Sequence, residues 1–181
     1  MSRTLVAFSA LMVAIAFTVT LGAQKTTTLG PGGGGSPHVR TEWTIDGANV
    51  SIEYGRPYLK GRPERQMMPP GEVWRTGADE QTTLKTDKPL KFGMQTVAAG
   101  TYGLHTLPGP NQWQLIVSKR PGGWGIPYPE GQDLGRVPMN VGKTKAPVEQ
   151  LTISVDDTPA GGTLRIEWGT TSASVPFTIG G

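Results

Sequence analysis

Leu151-Thr152-Ile153-Ser154-Val155 and Leu164-Arg165-Ile166-Glu167-Trp168 decide the fold. In both stretches apolar and polar residues alternate, and Gly161-Gly162 lies between them. Successive side chains of a strand point to opposite faces, so a period of two turns one face to a core and the other to water. The same period recurs at Val50, Ile52 and Tyr54, at Val175, Phe177 and Ile179, and at Trp113, Leu115 and Val117, where Ile116 interrupts the polar phase. Shorter runs at Arg40–Ile45, Thr82–Thr86 and Thr101–Leu107 suggest further strands. Turn chemistry separates the runs: Asp46-Gly47, Ala99-Gly100, Pro108-Gly109-Pro110 and Pro121-Gly122-Gly123. With 26 glycines and 16 prolines, no window is left for a long amphipathic helix. The expectation is an all-β single domain over 39–181: an antiparallel β-sandwich or jelly-roll-like fold with long irregular loops.

Residues 1–23 read as a signal peptide, with Arg3, then an apolar run from Leu5 to Phe17, then the small residues Gly22 and Ala23. The alternative is a spanning anchor, since the charge-free stretch from Thr4 to Gln24 just reaches across ~30 Å of hydrocarbon. Its position at the extreme N-terminus, without a basic stop-transfer cluster, favours a cleaved leader, cut after Ala23 or Gly22. Residues 24–38, rich in Thr, Gly and Pro, read as a flexible tether. The chain has no cysteine, which excludes disulfides, thiol chemistry and a lipoprotein anchor. Its formal net charge of +3, or +2 once Arg3 leaves with the leader, is too small to argue for nucleic acid or an anionic membrane. These features imply a periplasmic or secreted protein, with no stable membrane insertion once the leader is removed.

The segment from Arg56 to Asp79 breaks the strand pattern. A loop of this length in a compact domain is functional or disordered, and its aromatic and Met content argues against disorder. It carries Arg56, Lys60, Arg62, Trp74 and Arg75, with Asp79 and Glu80 at its end. Clustered guanidinium groups beside a Trp can grip a carboxylate or phosphate. The structural alternative is that Arg75 pairs with Asp79 or Glu80, helped by a tight turn at Gly77, while Trp74 plugs the end of the sandwich. A second candidate is the loop Gly122-Gly123-Trp124-Gly125-Ile126-Pro127-Tyr128-Pro129, whose Trp124 and Tyr128 offer flat faces for stacking. The alternative there is that the rings fold back over the sheet. His105 falls on the polar phase of its strand, facing solvent or a cleft. With only two histidines and no metal, nucleotide or nucleophile-elbow motif, neither a metal site nor a cofactor is expected.

The string Tyr54-Gly55-Arg56-Pro57, then Lys60-Gly61-Arg62, then Gly71-Glu72-Val73-Trp74-Arg75-Thr76-Gly77-Ala78-Asp79-Glu80 resembles the bacterial domain-of-unknown-function family number 2911. The pattern continues through Ala99-Gly100-Thr101-Tyr102, Pro108, Trp113 and the Trp124-Gly125 loop to Asp133 and Arg136. The resemblance implies a secreted or envelope-associated β-rich domain and brings no catalytic residues with it. Asp79 stands where the family usually has Asn, and Glu64 to Pro70 replaces an expected Phe-Gly turn.

The expected function is therefore non-catalytic binding of an anionic small molecule, glycan, peptide or envelope protein through the loop from Arg56 to Glu80, rather than through the Trp124 loop. One rival is a glycan-directed hydrolase using Asp79, Glu80 or Glu53 as acid and base. Another is a structural surface or assembly module.

Overall fold

The computed structural model describes residues 24–180, so the expected leader over 1–23 lies outside the described residues. Ten strands form an antiparallel all-β domain: β1 (Lys25–Gly30), β2 (His38–Ile45), β3 (Ala48–Gly55), β4 (Ala78–Thr86), β5 (Leu90–Phe92), β6 (Gln95–Val97), β7 (Gly100–Leu107), β8 (Trp113–Ser118), β9 (Asp133–Thr158) and β10 (Gly161–Ile179). The spatial order is β1-β2-β3-β4-β7-β8-β9-β10-β5-β6. One short helix, α1 (Glu64–Met67), sits in the long loop.

The two longest strands make the sandwich. The first part of β9 pairs with β8, placing Trp113 opposite Met139, whereas its later part pairs with β10, Ile153 opposite Ile166. The ladder between β9 and β10 is irregular on both sides of Gly169. The chain bends there through the left-handed φ of 61° at Gly169, where an added Cβ would lie 2.2 Å from the Glu64 carboxylate. The sheet thus folds over itself. Trp43, Ile52, Leu84 and Leu115 of one layer join Leu151, Ile166, Trp168 and Phe177 of the other in a single core. Each of these comes from the apolar phase of a period-two run.

Tyr54 ties the layers together. Ile153 N–H donates to its hydroxyl at 3.0 Å in the buried interior. The chain after β3 then follows the free side of β9: Leu59 N–H donates to Glu149 O at 2.9 Å and Leu151 N–H to Pro57 O at 2.9 Å. The long loop therefore begins as a cover for a strand edge that would otherwise leave its main-chain groups unpaired.

The expected flexible tether over 24–38 needs correction. Its first part is β1, paired antiparallel with β2, Lys25 opposite Glu42 and Thr28 opposite Val39. Its β-branched threonines suit a strand, and the open edge of β2 supplies the ladder. Most of β1 is exposed, so main-chain bonding rather than burial holds it. Composition that rules out a core does not rule out an edge strand.

Candidate functional site

Of the four cations expected to form one face, Arg56 is committed to structure. Its Nε donates to Leu151 O at 2.9 Å and its Nη2 to Thr152 Oγ1 at 3.0 Å, clasping the loop's start to β9. Lys60 has φ 50°, its N–H donates to Glu149 Oε1 at 2.7 Å, and its Nζ lies 3.5 Å from Gly34 O. Arg62 curls back, with Nε donating to Leu59 O at 2.9 Å and Nη2 to Tyr58 O. Lys60 and Arg62 thus spend donors on backbone oxygens. Neither they nor Arg75 forms an ion pair with a carboxylate among the described residues.

Trp74 is anchored on both sides. Its N–H donates to Thr106 O at 2.8 Å, Thr106 N–H returns a bond to Trp74 O at 2.9 Å, and its ring stacks on Trp168 at 5.9 Å and 13°. Trp113 meets it edge-on at 6.4 Å. Two residues later the buried Thr76 adopts φ 60°, a left-handed conformation unfavourable to a β-branched residue by roughly 1–3 kcal/mol. Three hydrogen bonds hold it there. Its hydroxyl donates to Trp74 O at 3.2 Å and lies 3.1 Å from Thr106 Oγ1, while Thr82 Oγ1 donates to Thr76 O at 3.0 Å. Gly77 then passes so close to Gly55 and Thr82 that an added Cβ would lie 2.9 Å from the Thr82 hydroxyl.

This turn sends Arg75 to the other candidate loop. Its Nη1 donates to Trp124 O at 3.1 Å and its guanidinium carbon lies 5.0 Å from the centroid of the Trp124 ring. The expected pairing of Arg75 with Asp79 or Glu80 is not formed. Burial lowers the Arg75 pKa, and the two carboxylates only partly oppose that shift. Asp79 (φ 62°) instead accepts from Gly33 N–H at 2.6 Å, and Glu80 Oε2 lies 3.4 Å from His38 Nδ1. The N-terminal segment occupies the carboxylates that the sequence assigns to Arg75.

Two clefts result. One, of about 650 Å³, gathers Lys60, Arg62, Trp74, Arg75, Ile126 and Trp168. The other, of about 510 Å³, is bounded by Leu29, Gly33, His38, Asp79, Glu80 and Trp124. The cations and acids expected to share a site are thus sorted into neighbouring clefts, and Arg56 lines neither. No cluster of three or more metal-ligating side chains occurs among the described residues.

The Trp124 loop divides in the same way. Trp124 and Ile126 are 55% and 61% exposed, whereas Tyr128 folds back onto the outer face of the sheet. Its ring meets His105 edge-on at 5.0 Å and its hydroxyl bonds Asp133, which also accepts from Arg136 Nε at 2.7 Å. Desolvation, reinforced by Asp133, pushes the Tyr128 pKa up to about 12. His105 points away from the main core as its phase requires, but the loop covers it completely. Burial lowers its pKa to about 4 against the pull of Asp133 and the Gly125 backbone, and neither ring nitrogen has a hydrogen-bond partner. His105 is thus closed off from solvent.

Sequence reasoning did not single out Leu29, Ile126 or Trp168 for the clefts. The one usable signal was Ile126, an aliphatic residue within a Gly/Pro loop.

No curated protein and no solved structure matches the chain. A family model described as "Protein of unknown function (DUF2911)" matches residues 36–177, and the chain belongs to that family.

Proposed function

We propose that this is an exported, non-catalytic binding domain whose ligand is a small anion seated in the cleft between the long loop and the Trp124 loop. One observation carries the reading: Lys60, Arg62 and Arg75 converge on a single cleft whose one lining carboxylate, Glu72, forms no ion pair with them among the described residues. Unpaired cations beside indole walls favour a carboxylate or phosphate carried on a flat or apolar body. The strained but fully bonded turn at Thr76 holds Arg75 in place before the ligand arrives, so little ordering entropy is lost on binding. Arg56, by contrast, supports the loop from outside the cleft.

Isothermal titration calorimetry with glycerol phosphate, benzoate and glucose tests this. The two anions should bind and glucose should not, and Arg62→Ala combined with Arg75→Ala should weaken anion binding at least tenfold. Equal binding of glucose, or anion affinity unchanged in the double variant, would remove the proposal. Turnover of a glycan that is lost in Asp79→Asn or Glu80→Gln would instead support a hydrolase.

A further inference from the structure

Four large hydrophobic side chains are exposed among the described residues, and three of them border the two clefts: Leu29 at 45%, Trp124 at 55% and Ile126 at 61%. Single exposed apolar residues are ordinary, but three on one face, Ile126 in the cation cleft and Leu29 and Trp124 beside the cleft of Asp79 and Glu80, indicate a contact surface. We infer that this face docks reversibly on an anionic bilayer, with Leu29, Trp124 and Ile126 entering the interfacial region and lipid phosphates meeting Lys60, Arg62 and Arg75. The phosphate half of this inference rests on the anion-binding reading of the cleft.

Two carbonyls of the loop are already paired within the protein. Gly123 O already accepts from Gln81 N–H at 2.9 Å, and Trp124 O accepts from Arg75 at 3.1 Å. Pro121, Pro127 and Pro129 have no N–H to desolvate. Unsatisfied main-chain groups oppose entry into a medium poor in hydrogen-bond partners, so pairing of these two acceptors lowers the resistance. Trp also suits the level of the headgroups, where its ring is in apolar surroundings while its N–H stays near polar ones.

Five cations around the apolar tip, Lys60, Arg62, Arg75, Lys119 and Arg120, outnumber the three acids that line the two clefts, Glu72, Asp79 and Glu80. Lys119 and Arg120, both exposed, immediately precede the loop, and the three cleft cations flank it. A few inserted side chains give only marginal attachment, and a basic patch facing anionic lipid supplies the second contribution that stable docking needs. A bilayer fits better than a folded partner. The apolar groups stand singly on a loop and a strand edge, and a fluid interface closes around isolated side chains where a rigid surface would need a matching pocket. Among the described residues, no helix is long and apolar enough to cross a membrane, so the contact proposed is interfacial.

The test uses the mature chain with vesicles of phosphatidylglycerol and phosphatidylcholine, and with soluble glycerol phosphate. Trp43, Trp113 and Trp168 are buried and Trp74 is half-buried, so a blue shift of tryptophan emission on adding vesicles reports chiefly on Trp124. Binding should be at least tenfold weaker on pure phosphatidylcholine and should fall steeply with added salt. Leu29→Ser, at a side chain that lines only the neighbouring cleft, should weaken vesicle binding, followed by co-sedimentation, at least threefold while leaving glycerol phosphate affinity within threefold. Arg62→Ala combined with Arg75→Ala should weaken both. Retained glycerol phosphate binding with no vesicle binding overturns the docking and leaves the anion cleft standing. Vesicle binding that ignores the arginine pair, or Leu29→Ser, overturns the inference as stated.

Discussion

Arg75 and Trp124, forty-nine positions apart, are joined twice: the guanidinium donates to the Trp124 carbonyl at 3.1 Å and covers its ring at 5.0 Å. The long loop and the Gly/Pro loop, rival candidates on sequence grounds, are thereby two walls of one region. The contact is largely exposed, so its contribution to global stability is small, on the order of 0.5–1 kcal/mol. Arg75→Ala should shift the urea midpoint only slightly yet change the Trp124 emission. A loss of several kcal/mol would mean that Arg75 supports the core instead.

Tyr54 and Ile153 provide the opposite case. The hydroxyl of Tyr54 takes a buried main-chain N–H at 3.0 Å, and burial raises the Tyr54 pKa. Tyr54→Phe leaves that N–H without a partner and should destabilise the domain by about 1–3 kcal/mol in urea denaturation. An unchanged midpoint would show that the bridge between layers adds nothing.

His105 makes stability depend on pH. Its folded pKa is about 4 and its unfolded value 6.5, so between those values the unfolded chain binds the extra proton. Stability is fully present above pH 6.5 and declines as pH falls towards 4, by on the order of 3 kcal/mol in total. His105→Phe should flatten that part of the profile. A slope persisting unchanged would assign it to other groups.

Glu64 acts at lower pH. Burial raises its pKa, but hydrogen bonds from Thr171 and Thr170, with the field of Lys143, outweigh burial and leave it below 4.5. Its contribution is present above pH 4.5 and is lost as pH falls through the lowered folded value. In Glu64→Gln the acid unfolding limb below pH 4.5 should be shallower, while the decline assigned to His105 stays. If Glu64→Gln alters only the profile near pH 6, this assignment is wrong.

The mature N-terminus should be Ala23 or Gln24, following cleavage after Gly22 or Ala23. Either cut leaves β1, which begins at Lys25, intact. Intact mass spectrometry of exported protein settles it, and a species retaining Met1 in the membrane fraction would contradict the leader reading.

The period-two runs were legible because alternation is a local property: Ile52, Leu115, Ile153, Ile166 and Phe177 all face the core that their phase assigns them. Turn glycines such as Gly47, at φ 72°, follow from the same local chemistry. The hairpin of β5 and β6 escaped notice because three-residue strands carry too little alternation to read, although Leu90, Phe92 and Val97 are buried. The strand β1 escaped because its hydrogen bonds come from β2, across a Gly-rich turn.

Sequence by itself determined the alternation, the turns and the family pattern, and with them an all-β domain of two packed layers. Tertiary structure decided the partners of the charged residues. Arg75 reaches Trp124 rather than the adjacent Asp79 because Thr76 and Asp79 both take left-handed conformations, at φ 60° and 62°, which separate their neighbours' side chains. His105 is buried because a loop more than twenty residues later folds over its face of the sheet. Such contacts depend on register and loop path summed over the whole chain, and no local window of residues contains that information.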